Sequence, residues 1–218
     1  LNLSNAVISK PDSFIITITD NDYPIYKIGT INKQTGTTGA PDSLNVRCRT
    51  YGTVYGVNTR SAGLGFTIMD NTGGIGVFSS TKTYGYTVKE GDSVMIQGKV
   101  NHFQGTAQLD GLDTIIKIAS NRNLVTPTAV TKTSETTESK LVKMSRVKLI
   151  NSADWPTTAL SANGFKYVPV INTSGGTDTL NIDAETDIDG TTAPSGWIDV
   201  TGLGVQFDNT SPYKSKYY

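Results

Sequence analysis

The chain has 218 residues with 19 basic and 19 acidic side chains, one cysteine and one histidine. This balance leaves no overall field to attract nucleic acid or an anionic membrane surface. A lone cysteine excludes a disulfide within the chain, and a lone cysteine and histidine together argue against a transition-metal site. No apolar run approaches the roughly 20 residues that cross a bilayer, so we expect no membrane insertion.

The composition favours short strands joined by polar turns. Thr, Ser, Asn and Gly are abundant, and Val and Ile outnumber Leu. β-branched residues suit pleated strands, whereas Gly and Asn suit turns. We therefore predict an all-β protein, in which Cys48, between Val46 and Val54, is a buried and inert thiol.

Residues 1–43 contain one strand-like run and a linker. Apolar and polar residues alternate over 14–19, ITITDND closes the run, and Gly and Pro interrupt residues 23–43. The alternation predicts a strand, and the later residues predict a linker. Because the chain begins with Leu and shows no signal-peptide pattern, we expect it to be a piece of a longer protein.

Residues 44–120 predict a first domain. LNVRCRTYGTVYGVN alternates over a length that needs a bulge or bend near Gly52 and Gly56. GLGFTIMDNTGGIGVFSS then reads as a hairpin, and SVMIQGKVNHF and AQLDGLDTIIKIAS form a second hairpin, with a kink at Gly98. Five strands in this order, with glycines at the bends, predict a small Greek-key barrel of the OB type, without a helix between strands three and four.

Residues 121–139 predict a Thr-rich linker with a short helical turn near 135–140. Residues 140–218 then repeat the landmarks of the first domain. The hairpin turn NTGG is echoed by NTSGG at 172–176, and Gly98 to Phe103 has the same spacing as Gly202 to Phe207. Recurrence at matched spacing predicts a second barrel of the same type. Only PYKSKYY stands where its fifth strand belongs, so we expect this barrel to be incomplete.

Two parts of the chain, residues 44–218 and the first 22 residues, resemble known families. YGTVYGVNTR, GLGFTIMDNTGGIGVF and YTVKEGDSVMIQGKVNHFQG resemble tandem OB-fold domains of large secreted or surface bacterial proteins, as do NIDAETDIDG and IDVTGLGVQFDNTSPY. LNLSNA followed by ITITDND resembles the end of a Calx-β domain, in which Asp20 and Asp22 are either calcium ligands or a polar turn. The resemblance implies a secreted or cell-surface setting beside other domains, nuclease or phosphoesterase domains among them. The family continues past PY with a Gly-Tyr and a further strand, whereas this chain has Lys216-Tyr217 and stops.

OB barrels bind extended polymers across the face of strands two and three, using cations and stacking rings. Residues 43–120 hold seven basic and five acidic side chains, which is a weak basic surplus. The candidate ligand-binding residues for a single-stranded oligonucleotide or a glycan are Arg47, Arg49, Tyr51, Arg60, Phe78 and Tyr84. Residues 140–218, with eight acids and seven bases, make a poorer nucleic-acid surface.

Other chemistry finds little support. Glu185, Asp187 and Asp189 imitate half of a calcium loop, but Gly196 stands where the final bidentate carboxylate belongs. His102 suits packing better than general-base catalysis, and Asp70, Asp110 and Asp113 form no recognisable catalytic motif. Trp155 and Trp197 are expected to be core or inter-barrel anchors, with sugar stacking as the alternative.

We therefore predict a monomeric, non-enzymatic binding module without a cofactor or bound metal. Its partners are an oligonucleotide or glycan at the first barrel and the neighbouring domains of the same polypeptide. The alternatives are a structural spacer or protein-interaction module without a small ligand, and an accessory domain of an extracellular nuclease or phosphoesterase.

Overall fold

A computed structural model describes residues 23–218, and the strand predicted over 14–19, with Asp20 and Asp22, lies outside the described residues. The all-β prediction is confirmed, since the described chain forms two five-stranded sheets. A short helix, α1 (Ile28–Ile31), precedes them, and two 3₁₀ turns cover Glu135–Thr137 and Ser152–Asp154. The strands are β1 (Arg47–Tyr55), β2 (Leu64–Met69), β3 (Gly74–Ser79), β4 (Ser93–Phe103), β5 (Thr106–Ala119), β6 (Thr128–Ala129), β7 (Leu141–Leu149), β8 (Phe165–Asn172), β9 (Thr177–Asp183) and β10 (Ile198–Leu203).

The first sheet closes into a barrel in the order β1-β2-β3-β5-β4. β1 pairs with β4 through residues 47–53 and with β2 through residues 53–55, so the long strand serves two parts of the sheet, as its length predicts. β3 and β5 run parallel and complete the circuit. The register of β4 and β5 shifts between Gln97 and Lys99, which confirms the kink expected at Gly98.

One end of this barrel is plugged by α1, where the sequence predicts a linker. Ile28 and Ile31 are buried in the same apolar cluster as the barrel interior. The backbone N–H of Ile28 donates to the Asp70 carboxylate at 3.0 Å, so the turn between β2 and β3 holds the helix in place. Two isoleucines spaced three residues apart lie on one face of a single helical turn, a signal too short to distinguish from a linker.

The second sheet has the order β10-β7-β8-β9, and β6 pairs in parallel with β7. β7, β8, β9 and β10 follow the predicted repeat. After β10 the described chain forms no fifth strand, and residues 206 and 217 make an isolated bridge there. The fifth strand is instead β6, from the stretch predicted to be a linker, and no pairing joins β9 to β10 within residues 23–218.

The two tryptophans of the second unit differ in their environments. Trp155 packs against the apolar cluster of this sheet, and its indole N–H lies 3.3 Å from the Thr191 hydroxyl. The anchor prediction is wrong for Trp197, because its side chain is exposed and Lys148 lies over its ring at 5.6 Å. Neighbouring strands therefore leave this ring accessible to solvent.

The two sheets pack through close backbone contacts. The Ser139 carbonyl oxygen lies directly against Gly74 at the start of β3, and the Asp208 N–H donates to the Gln104 carbonyl at 2.6 Å. Within the second unit, the Ser139 N–H donates to the Gly204 carbonyl at 2.7 Å. The Ala107 N–H of β5 donates to the Glu138 carboxylate at 2.9 Å. Residues 137–139, placed by the sequence in a linker, are thus buried between the units.

The contact at Gly74 predicts a destabilising substitution. A methyl group at Gly74 would overlap the Ser139 carbonyl, whereas one at Gly76, on the same strand, would have 3.4 Å to its nearest neighbours. We expect Gly74→Ala to lower the free energy of unfolding by about 1–3 kcal/mol, as overpacking usually does. Urea unfolding monitored by circular dichroism measures this. Gly76→Ala is the control, and an equal loss in both variants contradicts the close contact.

Candidate functional site

Three of the predicted residues lie together on the outer surface of β1. Arg47, Arg49 and Tyr51 alternate with buried residues and therefore share the outward side of the strand. Their cross-strand partners on β4 are Lys99, Gln97 and Met95, and Met95 pairs in turn with Ile116 of β5. We call the surface formed by Arg47, Arg49, Tyr51, Gln97, Lys99 and Ile116 the β1 face.

The β1 face combines cations with exposed apolar area. Tyr51 is 42% exposed and Ile116 is 48% exposed, and Met95 lies buried between them in the register. Beyond Arg49, Ile25 pairs with β1 and adds a further exposed apolar side chain. An exposed apolar strip bordered by arginine and lysine side chains is typical of a binding surface.

Arg47 is held in place by its neighbours. Its guanidinium group lies 2.8 Å from the Asp113 carboxylate and donates to the Tyr23 hydroxyl at 3.2 Å. It also lies 5.7 Å from the centre of the Tyr23 ring. Because Arg47 and Asp113 are both largely exposed, the ion pair contributes little stability but orients the cation and offsets part of its charge.

Arg60 and Phe78 form a separate pair at the far end of the hairpin. The Arg60 guanidinium lies 5.8 Å from the centre of the Phe78 ring, and its stem covers Gly65. Gly65 pairs with Phe78 and lies beyond the β1 residues that pair with β2. The structure therefore does not bring Arg60 and Phe78 together with Arg47, Arg49 and Tyr51.

The remaining candidate, Tyr84, packs against the barrel core. It is partly buried against the apolar cluster and has a positive φ of 54°. The outer side of β2 and β3 is also largely covered, since Thr67 and Met69 are buried and Gly74 lies against Ser139. The face that the OB resemblance implies for a ligand is thus occupied in part by the chain itself.

Sequence reasoning missed Gln97, Lys99 and Ile116. These residues belong to the second hairpin, and their position beside β1 follows from the barrel closure between β1 and β4. The run TIIKIA contains the signal, because adjacent isoleucines in a strand place one side chain on each side of the sheet. Ile115 is buried and Ile116 is exposed.

The acidic residues of interest have separate structural roles. Asp70 caps α1, Asp113 pairs with Arg47, and Asp110 accepts a hydrogen bond from the Asn101 amide. Burial alone would raise the pKa of Asp70, but hydrogen bonds from Thr72 and from backbone N–H groups outweigh it and hold that pKa below its usual value. The three carboxylates do not form one site.

The carboxylates of Glu185 and Asp189 in the second unit accept hydrogen bonds from backbone N–H groups of a neighbouring loop. Glu185 accepts from the Asn163 N–H at 2.9 Å, and Asp189 accepts from the Leu160 N–H at 2.6 Å. Burial, and then a hydrogen bond with the Glu185 carboxyl group, raise the pKa of Asp183 to about 6. Across residues 23–218, no group of three or more His, Cys, Asp and Glu side chains is arranged to hold a metal ion.

The isolated histidine and cysteine are packing residues. The His102 and Tyr213 rings lie 4.4 Å apart, and burial, only partly opposed by Glu135, lowers the pKa of His102. Cys48 is fully buried, as predicted, and burial raises the pKa of its thiol to about 11. A thiol with so high a pKa is a poor nucleophile.

Glu138 is a buried carboxyl group between the two units, and its pKa is raised well above the usual value. One oxygen accepts from Ala107, while the second is buried without a partner within hydrogen-bonding distance. Glu138 lines a cavity of about 210 Å³ together with Gln34, Glu135 and Lys140. Burial raises its pKa to about 7, the hydrogen bond from the Ala107 N–H opposes this, and the nearby Glu135 charge adds to it.

Comparisons with known proteins do not identify a family. No family model matches the chain, and no curated protein matches it. Among solved structures, it is similar to the hypothetical protein ygiW from E. coli, at 26% sequence identity and a TM-score of 0.28. That similarity covers 34% of this chain and 77% of the other. The part of the chain that the structure describes also contains no helix long and apolar enough to cross a membrane.

The buried Glu138 predicts a pH-dependent stability. Its native pKa of about 7 exceeds the usual value of 4.5, so the folded chain binds more protons than the unfolded chain between these pH values. The free energy of unfolding should therefore fall as pH rises from 4.5 to 7, by up to about 3 kcal/mol. Glu138→Gln should remove this dependence of the free energy of unfolding on pH. At pH 7.5 the variant should therefore be more stable than the unaltered chain.

Chemical unfolding at pH 5.0, 6.0 and 7.5 measures the difference in the free energy of unfolding between the unaltered chain and Glu138→Gln. In that difference, the pH dependence that Asp183 and His102 give to both chains cancels. Asp187→Asn, at an exposed carboxyl group, is the control and should keep the slope. If the free energy of unfolding of Glu138→Gln depends on pH as that of the unaltered chain does, Glu138 is not the group responsible.

Proposed function

We propose that the chain is a non-catalytic binding module of a larger secreted protein, and that its β1 face binds a single-stranded nucleic acid. The observation that carries the proposal is the outward row of Arg47, Arg49 and Tyr51 on one strand of a closed barrel. We infer that the barrel is of the OB type, and its strand order supports this. The secreted setting rests on the resemblance to OB and Calx-β domains.

The chemistry of the β1 face suits a flexible polyanion better than a duplex. Arg47, Arg49 and Lys99 supply positive charge for phosphates, and Tyr51 offers a ring for base stacking. Asp113 and Asp110 offset part of this charge, so we expect binding that is weak at physiological salt and stronger at low salt. An oligosaccharide would use Tyr51 and Ile116 and would not need the arginines.

A second candidate function is that of a rigid structural spacer. It is favoured by the backbone contact of Gly74 with Ser139 and by the hydrogen bonds of the Asp208 N–H to the Gln104 carbonyl and of the Thr106 hydroxyl to the Gln206 carbonyl, which join the two units at several points. Such packing supports a fixed arrangement and by itself needs no ligand. A catalytic role finds no support in the separated positions of His102 and the carboxylates.

Titration of a fluorescent 12-nucleotide oligo(dT) at 20 mM and 150 mM salt tests the first proposal. We expect Arg47→Ala with Arg49→Ala to weaken binding at least tenfold and to reduce its salt dependence. Tyr51→Ala should weaken it about fivefold to tenfold, because one stacked base contributes roughly 1–3 kcal/mol.

Lys82→Ala with Lys89→Ala is the matched control. It removes the same charge from exposed positions of the same barrel, and affinity should change less than threefold. No binding at 20 mM salt supports the spacer instead. Equal losses in the two double variants would show that net charge, and not the β1 face, determines affinity.

A further inference from the structure

Two exposed aromatic side chains of β8 and the partly buried Tyr218 form a row on the second unit. Phe165 and Tyr167 are 48% and 38% exposed, and their ring centres lie 5.0 Å apart. The Tyr218 ring lies 5.0 Å from that of Tyr167 on the other side. We call Phe165, Tyr167 and Tyr218 the aromatic row.

The aromatic row is held in position by backbone pairing. Phe165 and Tyr167 alternate along β8 and therefore share one side of the sheet, opposite to the buried Val168. Tyr218 exchanges two backbone hydrogen bonds with Val205, at 2.7 and 2.9 Å, and its hydroxyl group lies 3.0 Å from that of Tyr167. A ligand would thus meet rings that are already ordered, which lowers the entropic cost of binding.

The surroundings of the row distinguish between ligand classes. The β9 residues that share its side of the sheet are Asp183, Asn181 and Thr179, which pair with Phe165, Tyr167 and Pro169. Lys166 alternates to the opposite side, so β8 and β9 place no cation on this side. On these two strands a polyanion would meet the Asp183 carboxyl group, and the nearest cations are Arg60, which acts on Asp183, and Lys148 of β7, which pairs with Ile171.

The chemistry fits a neutral sugar polymer. The C–H faces of a pyranose ring are apolar and slightly positive, and they stack on the negative face of an aromatic ring. Sugar hydroxyl groups would then find hydrogen-bonding partners in the Asn181 amide and the Thr179 hydroxyl. Rings tilted by 58° and 56° to each other suit successive sugar units that rotate along a chain.

We propose that the outer surface of β8 and β9 is a binding site for a neutral polysaccharide, which stacks on the aromatic row. This site lies on the second unit and is separate from the β1 face. A nucleic acid at one surface and a sugar polymer at the other would have different chemical requirements, so each proposal stands or fails without the other.

Isothermal titration with cellohexaose, laminarihexaose, mannohexaose and chitohexaose, at 150 mM salt, tests the site. We expect at least one to bind with a dissociation constant below 1 mM. Phe165→Ala and Tyr167→Ala should each weaken that binding at least tenfold. Tyr167→Phe, which keeps the ring, should change it less than threefold. Affinity should not depend on salt between 50 and 500 mM.

Phe103→Ala is the matched control, because Phe103 is an exposed phenylalanine of the first barrel. Its binding should equal that of the unaltered chain, and circular dichroism verifies that every variant is folded. The proposal is overturned if none of the four sugars binds, or if both alanine variants of the row bind like the control. Self-association that Tyr167→Ala abolishes, without sugar binding, would make the row a protein interface instead.

Discussion

The turn between β2 and β3 is the constraint on which the arrangement of residues 23–218 depends. On one side the Asp70 carboxylate holds α1 against the end of the barrel. On the other side Gly74 lets the Ser139 backbone approach closely, and Ser139 in turn bonds to the strand-end residue Gly204. One short turn therefore connects the barrel plug, the barrel wall and the second sheet.

This constraint explains where ligands have access to the first barrel. The Ser139 backbone covers Gly74 on the outer side of β2 and β3, and Thr67 and Met69 on that side are also buried. The outer surface of β1 beside β4 lies away from that contact, and Tyr51 and Ile116 stay exposed there. The proposed nucleic-acid surface thus lies elsewhere on the barrel than the face that the OB resemblance implies.

Much of the fold was predictable from periodicity and turn chemistry. The hairpin at 64–79, the shared long strand β1 and the second hairpin follow from alternation and from glycines at the bends. Ile28 and Ile31 were not recognised as core residues, because one helical turn is too short to show a period. β6 was missed because a two-residue strand is defined by its partner β7 and not by its own sequence.

The candidate site was predictable only along single strands. Arg47, Arg49 and Tyr51 share a face by alternation alone, whereas Lys99 and Ile116 join them through a register between strands distant in sequence. Phe165 and Tyr167 of the aromatic row share a side by alternation in the same way, whereas Tyr218 reaches Tyr167 only by pairing with residue 205. Long-range register is set by the whole sheet and leaves no local signal.

The backbone contacts between the units have a consequence for any chain of domains that contains them. The β1 face and the aromatic row, with their two proposed ligands, lie on units that pack directly on each other through backbone contacts. A charged strand and a sugar strand bound at the same time would be held at a constant angle and separation, and the second would bind without the cost of ordering an interdomain linker.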